Sequence, residues 1–210
     1  TGIFLAQHGK KLAFADSKKD YTSKVEQYNF ADILARQKDQ LKNNPMMKTF
    51  AQTRKKLSSL KHRPIYHFCS PRGKLHDPNG LCYWQGRWHP FYQAFPLEDP
   101  RQHWGHTVSK DLINWKDLPY AIYPGPEERC FSGATFVEKD RVIAMYHGRG
   151  TGNMVAVSSD PLLLNWKKLT GGPVIPMRKP NGSSQPFNVF DPCIWKKDGV
   201  YYSLSGSALP

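Results

Sequence analysis

Two Asp-Pro steps are the residues most able to do chemistry. Asp77-Pro78 and Asp191-Pro192 each run into an apolar stretch, then a polar turn with glycine (Gly86, Gly199), then an aromatic stretch. The same grammar at two places means that the two carboxylates hold equivalent positions in a repeated unit. Units set radially around a channel bring equivalent residues to one mouth of that channel. Two carboxylates aimed at one axial pocket are what glycoside chemistry requires.

Other candidates carry less. Gly148-Arg149-Gly150-Thr151-Gly152 is glycine-rich, but it joins two short extended runs with no helix after it, so it reads as a hairpin turn rather than a phosphate cradle. His103 and His106 have ligand-like spacing without an evident third ligand, and no metal is expected there. Glu127 and Glu128 sit in a Pro/Gly loop and are expected to be solvated, serving at most as a fallback acid. Cysteines stand at 69, 82, 130 and 193 with no C-x-x-C pair, which reads as free, partly buried thiols rather than a zinc site.

The elements that must position these residues change character near residue 63. All six tryptophans follow it, with most of the proline and glycine. The earlier region reads as helical. Phe30, Ile33, Leu34 and Leu41 mark one 3.6-period stripe, and Met46, Phe50, Leu57 and Leu60 a second. Asn44-Pro45 supplies an N-cap and a first-turn proline between them. These helices are expected to pack on the main domain or to act as a linker. Beyond Arg63 short aromatic and β-branched runs alternate with Gly, Pro, Asn and Asp, an all-β meander. Val108-Ser109-Lys110-Asp111 with Asn114-Trp115-Lys116 repeats as Val157-Ser158-Ser159-Asp160 with Asn165-Trp166-Lys167. A period of about 50 residues in an all-β chain predicts four-stranded propeller blades. The expected organisation is a helical basic arm or linker over 1–62, then the N-terminal part of a β-propeller over 63–210.

Bulk properties bound the partners. The formal net charge is +13, but 14 of the 30 basic residues and only 5 of the 17 acidic ones lie in residues 1–63. The excess therefore sits in the arm and reads as solvated helix faces, not a nucleic-acid surface. No apolar run approaches the about 18 residues that span a bilayer. The first residues show no clear signal-peptide pattern, so the compartment is left open.

The stretch from Arg63 to Phe136 resembles glycoside hydrolase family 32, the invertases, fructanases and related fructosyltransferases. Several blocks match in family order. They are Arg63 to Phe68, His76-Asp77-Pro78-Asn79-Gly80, Trp88 to Gln93, Trp104-Gly105-His106, Ser109 to Leu112 with Trp115, Cys130-Phe131-Ser132-Gly133, and further on Phe190-Asp191-Pro192. The resemblance implies a five-bladed β-propeller, of which about three blades are present, and cleavage of β-fructofuranosidic bonds by double displacement. It implies Asp77 as nucleophile and Asp191 as a catalytic carboxylate that binds fructose hydroxyls. It also implies a substrate pocket lined by His76, Asn79, Gln93, Trp104, Phe131, Ser132 and Phe190. The partner is then a fructoside, with no nucleic acid, membrane, cofactor or metal.

The chain departs from the family pattern in three places. His76 replaces the usual Asn before the nucleophile, and Phe190 replaces the usual Arg of R-D-P, removing a fork of charged donors. The family's acid/base is a Glu in a Glu-Cys pair. No such pair occurs here, so it is expected beyond residue 210, and these 210 residues alone are expected to be nearly inactive. Alternative readings are a non-catalytic carbohydrate-binding propeller and a related five-bladed arabinosidase or xylosidase. Sucrose, inulin, levan and phosphorylated substrates are not separated, nor is hydrolysis from transfer.

Overall fold

A computed structural model describes residues 20–64 and 67–206. Two helices, α1 (Leu34–Asn43) and α2 (Pro45–Ser58), precede eleven strands. Asn44 caps α2 as its sequence predicts: the side chain accepts the Met47 N–H at 3.2 Å, with Pro45 in the first turn. The arm is packed, not a free linker. Phe50 of α2 is buried edge-on against Tyr120 at 5.7 Å, and Arg54 grips Asp117 through Nε and Nη2. Gln37 of α1 is wholly buried and donates to Asp160 at 2.6 Å. Two stripe residues do not join this packing. Ile33 precedes α1 and Leu60 follows α2, and both are exposed.

The strands form three antiparallel sheets. The first runs β1 (Lys74–Trp84), β2 (Arg87–Phe95), β3 (His103–Ser109), β4 (Trp115–Ile122). The second runs β5 (Cys130–Val137), β6 (Val142–Gly148), β7 (Gly152–Ser158), β8 (Lys167–Lys168), with β9 (Ile175–Pro176) also on β7. The third pairs β10 (Pro192–Lys197) with β11 (Val200–Ser205). The opening strands adjoin one another, β1 against β5 and β5 against β10. Sheets whose first strands meet along a common line are a β-propeller arrangement. Arg63, Pro64, His67 and Phe68, part of the first matching block, lie outside all three sheets, and Ile65 and Tyr66 fall outside the described residues, as do residues 1–19 and 207–210.

The sequence repeats have direct physical causes. In the third-to-fourth-strand turns the Asp takes the exposed N–H groups: Asp111 accepts from Ile113 and Asn114, and Asp160 from Leu162, Leu164 and Asn165. Leu112 and Leu163 hold matching left-handed conformations, φ 62° and 52°. The glycine turns that follow the Asp-Pro steps also match. Gln85-Gly86 and Asp198-Gly199 both have positive φ at both residues, the two-residue hairpin turn that suits twisted strands. Gly148 to Gly152 joins β6 to β7 as a hairpin.

The core between the first two sheets holds Trp84, Phe91, Trp104, Ile122, Tyr146, Met154 and Leu163. Three histidines are buried beside it. His89 Nδ1 meets His106 Nε2 at 3.0 Å, and His103 meets Ser23 Oγ and the Arg101 carbonyl. His103 and His106 thus spend their nitrogens on separate partners. Burial pulls His89 and His103 down to about 4, and holds His106 well below its ordinary range. Folding disfavours their protonation, so the stability they contribute is complete above the unfolded value of about 6.5 and is lost as pH falls towards 4. His89 and His103 each account for on the order of 3 kcal/mol. The urea midpoint is expected to drop steeply between about pH 6.5 and 4.5; a flat profile there would contradict neutral burial.

Candidate active site

Asp77 lies on β1 at a register shift between His76 and Pro78, where the strand deviates from regular pairing with β2. Its carboxylate is exposed but held. Gln93 Nε2, from β2, donates to Asp77 Oδ2 at 3.1 Å and to Ser132 Oγ at 2.9 Å. Ser132, from β5, donates its own proton to the same Oδ2 at 3.2 Å. Oδ1 has no hydrogen-bond partner among the described residues. One carboxylate oxygen is therefore anchored by side chains from two sheets.

The surrounding backbone is locked from below. Asn79 Nδ2 donates to the Asp77 carbonyl at 3.1 Å. Gly80 is left-handed (φ +56°), and a Cβ there would meet Trp104, Phe91 and Thr135 at 3.0–3.2 Å. Thr135 Oγ1 donates to the Gly80 carbonyl at 2.9 Å, tying β5 to β1. The glycine of Asp-Pro-Asn-Gly is thus required by close packing between sheets.

Asp191 immediately precedes β10 and is exposed. Partial enclosure and then the negative charge of Asp77 raise its carboxyl above the usual range. The second cause is electrostatic: the charge of Asp77 acts at Asp191. Phe190 is exposed and stacks on the buried His147 ring at 4.7 Å and 24°, with Phe131 at 6.4 Å on its edge. Arg149 lies over Phe131 at 6.0 Å.

Two sequence expectations, those for Trp104 and Glu127, need correction. Trp104 does not offer a ring face to a sugar: it is wholly buried, and its indole N–H donates to the Phe131 carbonyl at 2.8 Å, supporting β5 from beneath. The His76 ring packs on Phe95 at 4.6 Å. Glu127 is not solvated but fully buried. Its Oε1 accepts from Tyr146 at 2.7 Å, from Cys130 at 3.3 Å and from Lys168. Glu128 does reach the surface, beside Arg129 and Arg149. His147 and Thr135 were not singled out in the sequence. Their only signal is alternation on strands flanking the Phe-Ser-Gly block.

The hydrogen-bonded Asp77 carboxylate sits on β1, the opening strand of the first propeller sheet, which adjoins the opening strand of the second. The sequence profile described as "Glycosyl hydrolases family 32 N-terminal domain" matches residues 67–209. The chain belongs to glycosyl hydrolase family 32. It is similar to the levanase of Bacillus subtilis, 39% identical over 131 residues, covering 55% of this chain and 19% of the levanase. It is 38% identical to an insoluble isoenzyme of β-fructofuranosidase of Arabidopsis thaliana over 165 residues, 70% of this chain and 29% of that one. Among solved structures, a mutant GH32 β-fructofuranosidase of Bombyx mori in complex with sucrose matches with TM-score 0.61 and 34% identity, over 77% of this chain and 36% of that one. Fructan 1-exohydrolase IIa of Cichorium intybus matches with TM-score 0.59 and 34% identity, over 70% and 30%. The chain spans about a fifth to a third of the length of the curated relatives.

Proposed function

We propose that this chain is the front part of a retaining glycoside hydrolase that cleaves β-fructofuranosidic bonds. Residues 1–62 form an arm, and 63–210 carry the first blades of a five-bladed propeller. The observation that carries the reading is the Asp77 carboxylate, anchored through one oxygen by Gln93 and Ser132 and within electrostatic reach of Asp191. Asp77 attacks the anomeric carbon of the fructosyl unit, and the bond to the leaving oxygen breaks. A proton for that oxygen comes from an acid outside these residues. Water, or an acceptor hydroxyl, then attacks the ester and regenerates the carboxylate. Asp191 accepts hydrogen bonds from fructose hydroxyls and tightens on the oxocarbenium-like state. The names of the relatives, levanase and β-fructofuranosidase, and the sucrose complex of the silkworm enzyme support this substrate class.

The test compares the full reading frame that carries this segment with residues 1–210 alone, measuring fructose released from sucrose, inulin and levan. The full protein is expected to release fructose. The 210-residue chain is expected to be slower by at least about 100-fold, the usual contribution of a positioned acid. No release by the full protein from any of the three, or equal turnover by the short chain, would overturn the proposal.

A further inference from the structure

We infer that the groove between α1, α2 and the outer edge of the first sheet is a docking site for an acidic, amphipathic segment of a partner protein. The groove encloses about 1140 Å³ and lies on β4 and the helices, away from the opening strands that carry Asp77 and Asp191. Seven cations line it: Lys42 and Arg54, which have carboxylate partners, and Lys38 of α1, Arg63, Arg87 of β2, Lys110 of the β3–β4 turn and Lys116 of β4, five from separate elements. Among the described residues none of these five is paired with a carboxylate within 4.0 Å. The groove's own acids are occupied. Asp117 is held by Arg54, and Asp111 by the N–H groups of its turn. Arg63 Nε is enclosed without a hydrogen-bond partner. Convergence of like charge raises the energy of the empty groove and is relieved only by an anion.

The apolar lining decides the class of anion. Leu41, Met47, Phe68 and Trp115 are half-buried in the walls, and Ile113 is 69% exposed. A sulfated glycan or a nucleic acid would meet the cations and leave these aliphatic surfaces wet. A segment with apolar anchors on one face and carboxylates beside them meets both, as in helix-in-groove recognition. Its charges would steer the encounter, and its anchors would supply the short-range contact.

The test is fluorescence anisotropy on the 210-residue chain. The probe is a labelled peptide of about 15 residues with leucine at helical spacing and glutamate between. Lys38→Glu/Lys110→Glu/Lys116→Glu is expected to weaken binding at least about tenfold, because it reverses three groove charges. Lys139→Glu/Lys167→Glu/Lys179→Glu, the same change on the second sheet and its loops, is expected to alter it less than about twofold. All six side chains are exposed, so both variants should keep the wild-type circular dichroism. Ile113→Ser is expected to weaken the peptide about threefold without altering heparin binding, which depends on charge alone. Equal loss in both charge variants would reduce the effect to general surface charge and overturn the inference. So would heparin binding that depends on the three groove lysines when the peptide does not bind.

Discussion

Asp77→Asn is expected to lower fructose release by the full protein by about four orders of magnitude, with folding intact. The amide keeps the shape of the carboxylate and an oxygen that can accept from Gln93 and Ser132, so the anchoring survives. It cannot form the glycosyl ester, and it supplies no negative charge to the oxocarbenium-like centre. A second readout needs only the 210-residue chain. Asp191 is raised by partial enclosure and by the charge of Asp77. Removing that charge should bring Asp191 down, yet leave it above an ordinary carboxyl because enclosure remains. Carbon-detected NMR titration of the aspartate carboxyls measures this directly. Turnover above about a tenth of wild type would move the nucleophile elsewhere. An unchanged Asp191 titration would mean that the two carboxylates are not neighbours.

The parts of this fold that were legible in the sequence are those fixed by local chemistry. Asn44-Pro45 starts a helix because one side chain and one fixed φ angle suffice. The V-S-x-D repeat marks the same turn twice because an Asp at that place satisfies consecutive N–H groups whatever surrounds it. The Asp77 and Asp191 echo was legible as repetition, because the same Asp-Pro step and glycine turn recur in the first and third sheets. What local grammar could not show is which side chains other elements cover. Trp104 reads as a pocket aromatic, yet β5 lies over it and takes its N–H. Glu127 reads as a solvated loop acid, yet Lys168, distant in sequence, folds back to neutralise it. Gln37 sits among charged residues on α1, yet it is buried and donates to Asp160, just after β7. In each case the deciding partner is far along the chain, and only the assembled sheets bring it near.

Glu127 therefore carries the largest expected effect on stability. Glu127→Ala is expected to cost about 3–5 kcal/mol, the usual result of removing one member of a buried ion pair. Three groups lose their acceptor at once. The Lys168 ammonium keeps only the Tyr123 carbonyl as partner, while the Tyr146 hydroxyl and the Cys130 thiol keep none among the described residues. Burial pushes the phenol and the thiol well above their ordinary values, so both remain protonated and cannot replace the lost negative charge. In a chain of this size the loss lowers the melting temperature by roughly 10 °C. Glu127→Gln, which keeps the volume and an acceptor but not the charge, should fall between the two. Glu127→Ala/Lys168→Met should recover part of the loss, because it removes the stranded cation and fills space with apolar atoms. The consequence reaches the site, since Cys130 opens the strand that presents Ser132 to Asp77. A Glu127→Ala protein within about 1 kcal/mol of wild type would show that this cluster is not what holds β5 in place.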